Sequence, residues 1–128
     1  VFRISSLNTI FRFGISDNHL GQPPNNGIYI EKLAADSFFY GVSRASATQT
    51  RSATSAAPVA NTWFMARVRR IDGATLGFSI NNGAEVMITT NIPSVALYPW
   101  FYIENTDGVA NHLEVDFFDI EYSGLTRF

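Results

Sequence analysis

The 128-residue chain has no cysteine. That excludes a disulfide framework, a thiolate nucleophile and a thiolate metal site, and it frees the fold from any dependence on redox compartment. Charge is scarce as well: 16% of residues are Asp, Glu, Lys or Arg, against about a quarter in an average globular domain. The net charge is −2. The densest basic group, Arg67, Arg69 and Arg70, is too short to track a phosphate backbone, so nucleic acid is disfavoured as a partner. No apolar run is long enough to form a spanning helix, and the start shows no signal-peptide pattern. The chain opens on Val1 rather than Met, which suggests a piece of a longer polypeptide. Helical periodicity is missing too. Only Glu31 to Asp36 tolerates a turn or two of helix, and a loop fits it equally well. No internal repeat appears at a fixed period, which argues against a propeller or solenoid.

What is present is apolar and aromatic. Hydrophobic residues make up 46% of the chain, and it holds eleven Phe, five Tyr and two Trp. Such residues suit a pleated, half-buried surface. A chain of this length buries roughly two-thirds of the surface it exposes when unfolded, enough for a single core. We therefore expect one domain over residues 1–128.

Short alternating runs recur between Gly, Asn, Asp and Pro punctuation. Thr9 to Ile15 sets Phe11, Phe13 and Ile15 against Arg12 and Gly14. The segment Ser16 to Gly27 is a loop, because two prolines and Asn-Asn-Gly forbid regular pairing. Gly27 to Lys32 points Ile28 and Ile30 inward. Ser37 to Ser43 alternates through Phe38, Tyr40 and Val42. Thr48 to Thr54 is predicted as an edge strand whose Arg51 blunts edge pairing. Asn61 to Ile71 is the strongest strand, followed by the hairpin signal Asp72-Gly73, the strand Thr75 to Ile80, a second signal at Asn82-Gly83, and Glu85 to Thr90. Ala96 to Glu104 precedes the turn Thr106-Asp107-Gly108. Asn111 to Tyr122 closes the chain, and its inward set changes phase at Phe117-Phe118, as a β-bulge would produce. Many short strands without a crossover helix predict an all-β, two-sheet antiparallel β-sandwich or a barrel.

From Asn61 onward the chain reads N-T-W-F-M-A-R-V-R-R-I-D-G, L-G-F-S-I-N-N-G, T-T-N-I-P, L-Y-P-W-F-Y-I and L-E-V-D-F-F-D-I. Together with F-R-F-G-I-S-D and N-G-I-Y-I-E, this order resembles the concanavalin A-like lectin/glucanase superfamily. It is closest to the jelly-roll domains of bacteriophage tail fibres and other virion surface proteins. The resemblance covers roughly residues 9 to 122, and T-T-N-I-P is its most specific run. It implies a jelly roll on the virion surface, outside the cell, that adheres to host carbohydrate or serves as structure. It also implies a homo-oligomer, a trimer being favoured, in contact with other virion subunits.

Two sets of residues carry chemistry. In Tyr98-Pro99-Trp100-Phe101-Tyr102, alternation sends Tyr98, Trp100 and Tyr102 to the face opposite Phe101. Flat rings stack on the apolar faces of sugars, and a Tyr hydroxyl or Trp N–H adds a hydrogen bond. Packing on a neighbouring domain or beneath the 16–27 loop is the competing explanation. Arg67 and Arg69 share a face with Trp63 and could hold an acidic sugar through charge-assisted bonds. Trp63 itself is expected in the core or at a sheet edge.

The enzymatic candidate is E-V-D-F-F-D, with Glu114, Asp116 and Asp119. Glycosidases of the resembling superfamily carry Glu-x-Asp-x-x-Glu, and the chemistry needs two carboxyls about 5 Å apart. Here the third residue is Asp, one methylene shorter, and the motif lies on the last strand. We expect no catalysis. His19 and His112 sit in turn-like sequence, and Asp17, Asn18, Asp36 and Asp107 match no calcium-loop spacing. No metal and no cofactor is therefore expected. The domain is built to bind or to build.

Overall fold

The computed structural model describes residues 1–18 and 23–119. Eleven strands and no helix form over these residues. They are β1 (Phe2–Ile4), β2 (Thr9–Ser16), β3 (Gly27–Lys32), β4 (Tyr40–Ala45), β5 (Thr48–Ala53), β6 (Trp63–Phe64), β7 (Ala66–Arg70), β8 (Leu76–Ile80), β9 (Val86–Ile88), β10 (Tyr98–Asn105) and β11 (Leu113–Val115). A five-stranded antiparallel sheet runs β10-β2-β3-β4-β5. Two three-stranded sheets, β11-β1-β6 and β7-β8-β9, pack over it and complete an all-β sandwich.

The core between the layers is aromatic. Phe2 sits at its centre, with ring centroids 4.7 Å from Phe11, 5.5 Å from Phe13 and Phe39, and 5.8 Å from Phe64. Ile28, Ile30, Leu76, Phe78, Ile80 and Ile88 fill the remainder. The predicted inward sets of β2, β3 and β8 all lie here. Offset and edge-to-face ring pairs of this kind add specificity to the burial of their area. Gly41 lies against the ring of Phe78, where an added Cβ would come within 2.4 Å of the ring carbon. No side chain fits there.

Three expectations fail for identifiable reasons. The strand β1, absent from the sequence reading, is the central strand of its sheet. Three residues are too few to display a period, and its place is decided by pairing with β6 and β11. The strand expected over Asn61 to Ile71 is broken at Met65, so that its halves pair in different sheets. Asn81 holds the break from both sides: its Oδ1 accepts from the Met65 amide and its own amide donates to the Met65 carbonyl, each at 2.8 Å. Immediately before β4 the core residue is Phe39 rather than Phe38, and Tyr40 and Val42 face away from the core. The strand expected over Gly27 to Lys32 forms with those bounds, and of the two readings of the stretch that follows it is the loop that forms: Leu33 to Asp36 is a turn, with the Leu33 amide donating to Asp36 Oδ2 at 2.7 Å.

The turns also differ in detail. The second hairpin turns on Asn81-Asn82, both in the left-handed region, with the Gly83 amide donating to the Ile80 carbonyl at 2.9 Å. This is the mirror-image turn that matches strand twist, shifted one residue from the predicted Asn82-Gly83. Ser46-Ala47 makes the same kind of turn between β4 and β5 without a glycine. The T-T-N-I-P run is a clamp between layers. The Ser43 hydroxyl donates to the Asn91 carbonyl at 2.7 Å, the Asn91 side chain donates to Thr50 at 2.9 Å, and the Thr50 and Thr90 hydroxyls lie 2.7 Å apart. Ile92 then packs into the core.

The closing strand is confined to Leu113–Val115. The phase change does occur, since Leu113 and Phe118 pack on the core while Phe117 is 60% exposed. It follows the end of the strand, so no bulge is needed. Ile120 and Tyr122 lie outside the described residues, as does His19.

Candidate functional site

The face of the five-stranded sheet that turns away from the core carries a second buried cluster: Tyr29, Val42 and Trp100, with Tyr40 and Tyr102 packed against it. The register arranges this face in three rows. Tyr98, Ser16, Gly27, Arg44 and Gln49 form the first; Trp100, Gly14, Tyr29, Val42 and Arg51 the second; Tyr102, Arg12, Glu31, Tyr40 and Ala53 the third. Gly14 is the reason the second row closes. A Cβ there would come within 2.3 Å of the Ile28 carbonyl oxygen and 2.8 Å of the Tyr29 Cβ. Its absence lets Trp100 and Tyr29 meet edge to face at 5.4 Å, and Trp100 stacks on Tyr102 at 6.0 Å.

Ion pairs hold the third row. Glu31, almost fully buried, accepts from Arg12 Nε at 2.7 Å on one oxygen and faces Arg51 Nε at 2.7 Å on the other. Arg51 also bonds Asp36 and lies 3.9 Å above the Tyr40 ring. Arg12 lies 5.3 Å from the Tyr102 ring, and the Tyr102 hydroxyl donates to Glu104 at 2.6 Å. Arg51 was expected to blunt an exposed edge. Instead it is turned onto the sheet face, because Glu31 lies on the same face two strands away. Burial and the charge of Glu31 push the Tyr29 hydroxyl up to about 12, against the opposing pull of Arg12, Arg44 and Arg51. That hydroxyl is buried without a hydrogen-bond partner among the described residues.

The predicted aromatic set therefore does share one face, but with unequal access. Tyr98 is 65% exposed, Tyr102 is half-buried and Trp100 is 3% exposed. Arg67 and Arg69 are not brought to them, since β7 belongs to the other layer. Arg69 forks onto Glu85 at 2.7 and 2.5 Å. The bridge passes over Gly77, where a Cβ would collide with the Glu85 carboxylate. This pairing holds the Glu85 carboxyl below its usual range. Arg67 lines an apolar cleft of about 330 Å³ together with Phe13, Ile15, Val68 and Phe118.

Trp63 is neither a core residue nor bare. It stands on the edge strand β6, 43% exposed, with the Arg3 guanidinium 4.9 Å from its ring. Arg3 in turn bonds Glu114 Oε2 at 2.5 Å, and His112 Nε2 lies 2.9 Å from Glu114 Oε1. The bond from Arg3 keeps the Glu114 carboxyl below its ordinary value, and His112 acts in the same direction. Both oxygens of the candidate nucleophile are thus engaged, and Asp116 and Asp119 lie beyond the end of its strand. Asp17 is occupied by the Asn26 amide and side chain at 3.0 and 2.7 Å, and Asp107 by Val109 and Asn111 at 3.0 and 3.1 Å. These bonds are those of turns. Among the described residues no group of three or more His, Cys, Asp or Glu could hold a metal ion.

Sequence reasoning missed Tyr29, Arg12, Glu31, Arg44 and Arg51 as one cluster. The alternation of Arg12 with Phe11 and Phe13, and of Tyr29 and Glu31 with Ile28 and Ile30, was the available signal. It places these side chains on one face without saying that the face is buried.

Fold and surface together define a small all-β sandwich with a structured outer sheet face. The chain belongs to the SO2946-like C-terminal domain family, whose model matches residues 1–116. Neither a curated protein nor a solved structure matches it.

Proposed function

We propose that the domain is a non-catalytic jelly roll of the concanavalin A-like kind on the surface of a bacteriophage virion. Its function there is to contact host-surface carbohydrate as part of a tail fibre or receptor-binding protein, in a homo-oligomer. One observation carries this proposal: Tyr98 stands 65% exposed at the end of an aromatic ladder that is otherwise packed and rigid. An exposed ring standing on a sheet strand offers a sugar an apolar surface to stack on. Trp100 contributes support from beneath rather than contact.

The test is Tyr98→Ala in a folded protein, with adsorption to host cells and a glycan array as readouts. We expect adsorption to fall about tenfold, the scale of one lost ring contact at a binding hot spot. Unchanged adsorption would overturn the proposal. The second reading is a purely structural virion module. It is favoured by the apolar edge at Phe101, Val115 and Phe117, each at least 39% exposed, since such an edge suits contact with another subunit. Glycoside hydrolysis is the weakest alternative, because Glu114 is ion-paired with Arg3 and its other oxygen is in contact with His112, rather than standing beside a second carboxyl. If Glu114→Gln abolished a measured glycan cleavage, that ranking would have to be reversed.

A further inference from the structure

Strand β1 lies between β6 and β11, with Phe2 opposite Phe64 on one side and Val115 on the other. The ladder with β11 runs on past the ends of both strands. The Asp116 amide donates to the Val1 carbonyl at 3.0 Å, and the Val1 nitrogen donates to the Phe117 carbonyl at 2.6 Å. On the other side β6 leads through Met65 into β7, but among the described residues only β8 pairs with β7. The backbone groups of Met65 and Ile71 bond on the β8 side, to Asn81 and Thr75. Alternation along the strand therefore turns the amides and carbonyls of Ala66, Val68 and Arg70 the other way, toward the line on which β1 would continue.

The apolar cleft of about 330 Å³ lies on that line. It is lined by Val1, by Ala66 and Val68 of β7, by Phe117 and Phe118 that follow β11, and by Phe13 from the facing sheet. Strand β1 holds β6 and β11 two strand spacings apart, about 10 Å, and the cleft prolongs that gap. Ala66 and Val68 pack against the core but are only half-buried. A strand edge with free backbone groups is a template for a further strand. A small apolar molecule in the cleft would leave those amides and carbonyls unmet. An extended polypeptide satisfies them with its main chain and fills the core side with alternate side chains.

We infer that this cleft seats a β-strand that prolongs β1 upstream of Val1, antiparallel to β7, so that the polypeptide leading into the domain is built into its sheet rather than tethered as a loose linker. The direction is that of β1, which pairs antiparallel with β6. The occupant is the stretch directly ahead of Val1, because the cleft reaches Val1 in line with β1 and because the family is one of C-terminal domains whose model matches from residue 1. Extending the register of β1 and β6 sets the first residue before Val1 opposite Ala66 and the third opposite Val68, both on the core side. Those two positions require apolar side chains, and the second, opposite the exposed Arg67, a polar one. With that strand in place, β11-β1-β6 and β7-β8-β9 become one sheet facing the five-stranded one. The inference is independent of what the outer face binds.

The experiment adds two extensions of equal composition to the N-terminus of the 128-residue chain. Thr-Val-Thr-Val places valine at the first and third positions before Val1, and Val-Thr-Val-Thr places threonine there. We expect the first to raise the thermal midpoint by about 5 °C or more over the second. It should also slow hydrogen exchange at the Ala66, Val68 and Arg70 amides by about tenfold or more, and the second should not. The same three amides should exchange slowly in the full-length polypeptide. Equal effects of the two extensions, or no effect of either, would overturn the strand. Slow exchange at all three amides in the unextended chain would overturn it as well, since another part of the same chain would then hold the edge. Protection that grows with protein concentration would overturn it in favour of a second copy.

Discussion

The two faces of the five-stranded sheet bury the same strands by opposite chemistry. Strand β3 is buried at all six positions. Its inward side chains, Ile28 and Ile30, join the phenylalanine core, while its outward ones, Tyr29 and Glu31, join rings and ion pairs. The inner face is held by a non-directional force, so any apolar residue of the right volume serves there. The outer face is held by contacts with fixed geometry: a carboxylate shared by two guanidiniums, a guanidinium over a ring, two rings meeting above a glycine. Burial is thus poor evidence of apolarity in this molecule.

Substitutions on the two faces should separate these mechanisms. Phe2 touches four other rings, so Phe2→Ala should be the most damaging, costing about 3–5 kcal/mol in denaturant unfolding through lost transfer energy and an unfilled cavity. Glu31→Gln should approach that figure without removing any volume, at about 3 kcal/mol, because it removes the buried charge that pairs with both Arg12 and Arg51. A loss under about 1 kcal/mol would mean that solvent reaches the pair and that the contrast between the faces is weaker than drawn.

The smallest effect concerns Tyr29. Its folded-state value is raised to about 12 from the usual 10. Between those values the unfolded chain has released a proton that the native state retains, so stability falls as pH rises through that window and is unaffected below it. The difference between wild type and Tyr29→Phe, followed by denaturant unfolding from pH 9 to 12, should show that decline. A flat difference would place the hydroxyl in water.

Much of the fold was legible because alternation is a local property. The inward sets Phe11-Phe13-Ile15, Ile28-Ile30 and Leu76-Phe78-Ile80, and the division of Tyr98, Trp100 and Tyr102 from Phe101, all follow from a side-chain period of two. The Phe38-Phe39 pair was misjudged at a strand end, where a turn resets the phase. Of the candidate site, the aromatic strand was visible and its partners were not. Which strand lies beside β10 is a matter of sheet order, and nothing in 98–105 names Gly14 or Tyr29 as neighbours.

The sequence alone determined an all-β sandwich free of disulfides, the strands with a clear alternation, and the side of each strand that meets the core. Tertiary structure decided the rest. It made Phe2–Ile4 a central strand, broke the longest predicted strand at Met65, committed Arg69 to Glu85, buried Trp100 and left Tyr98 exposed. The physical reason is that alternation fixes direction within a strand, whereas partners, burial and charge pairing depend on register between strands that are distant in sequence. Arg44 and Tyr29 are separated by fifteen positions in the chain. They become neighbours only because β3 and β4 pair in one register, and a shift of that pairing by one residue would put them on opposite faces of the sheet.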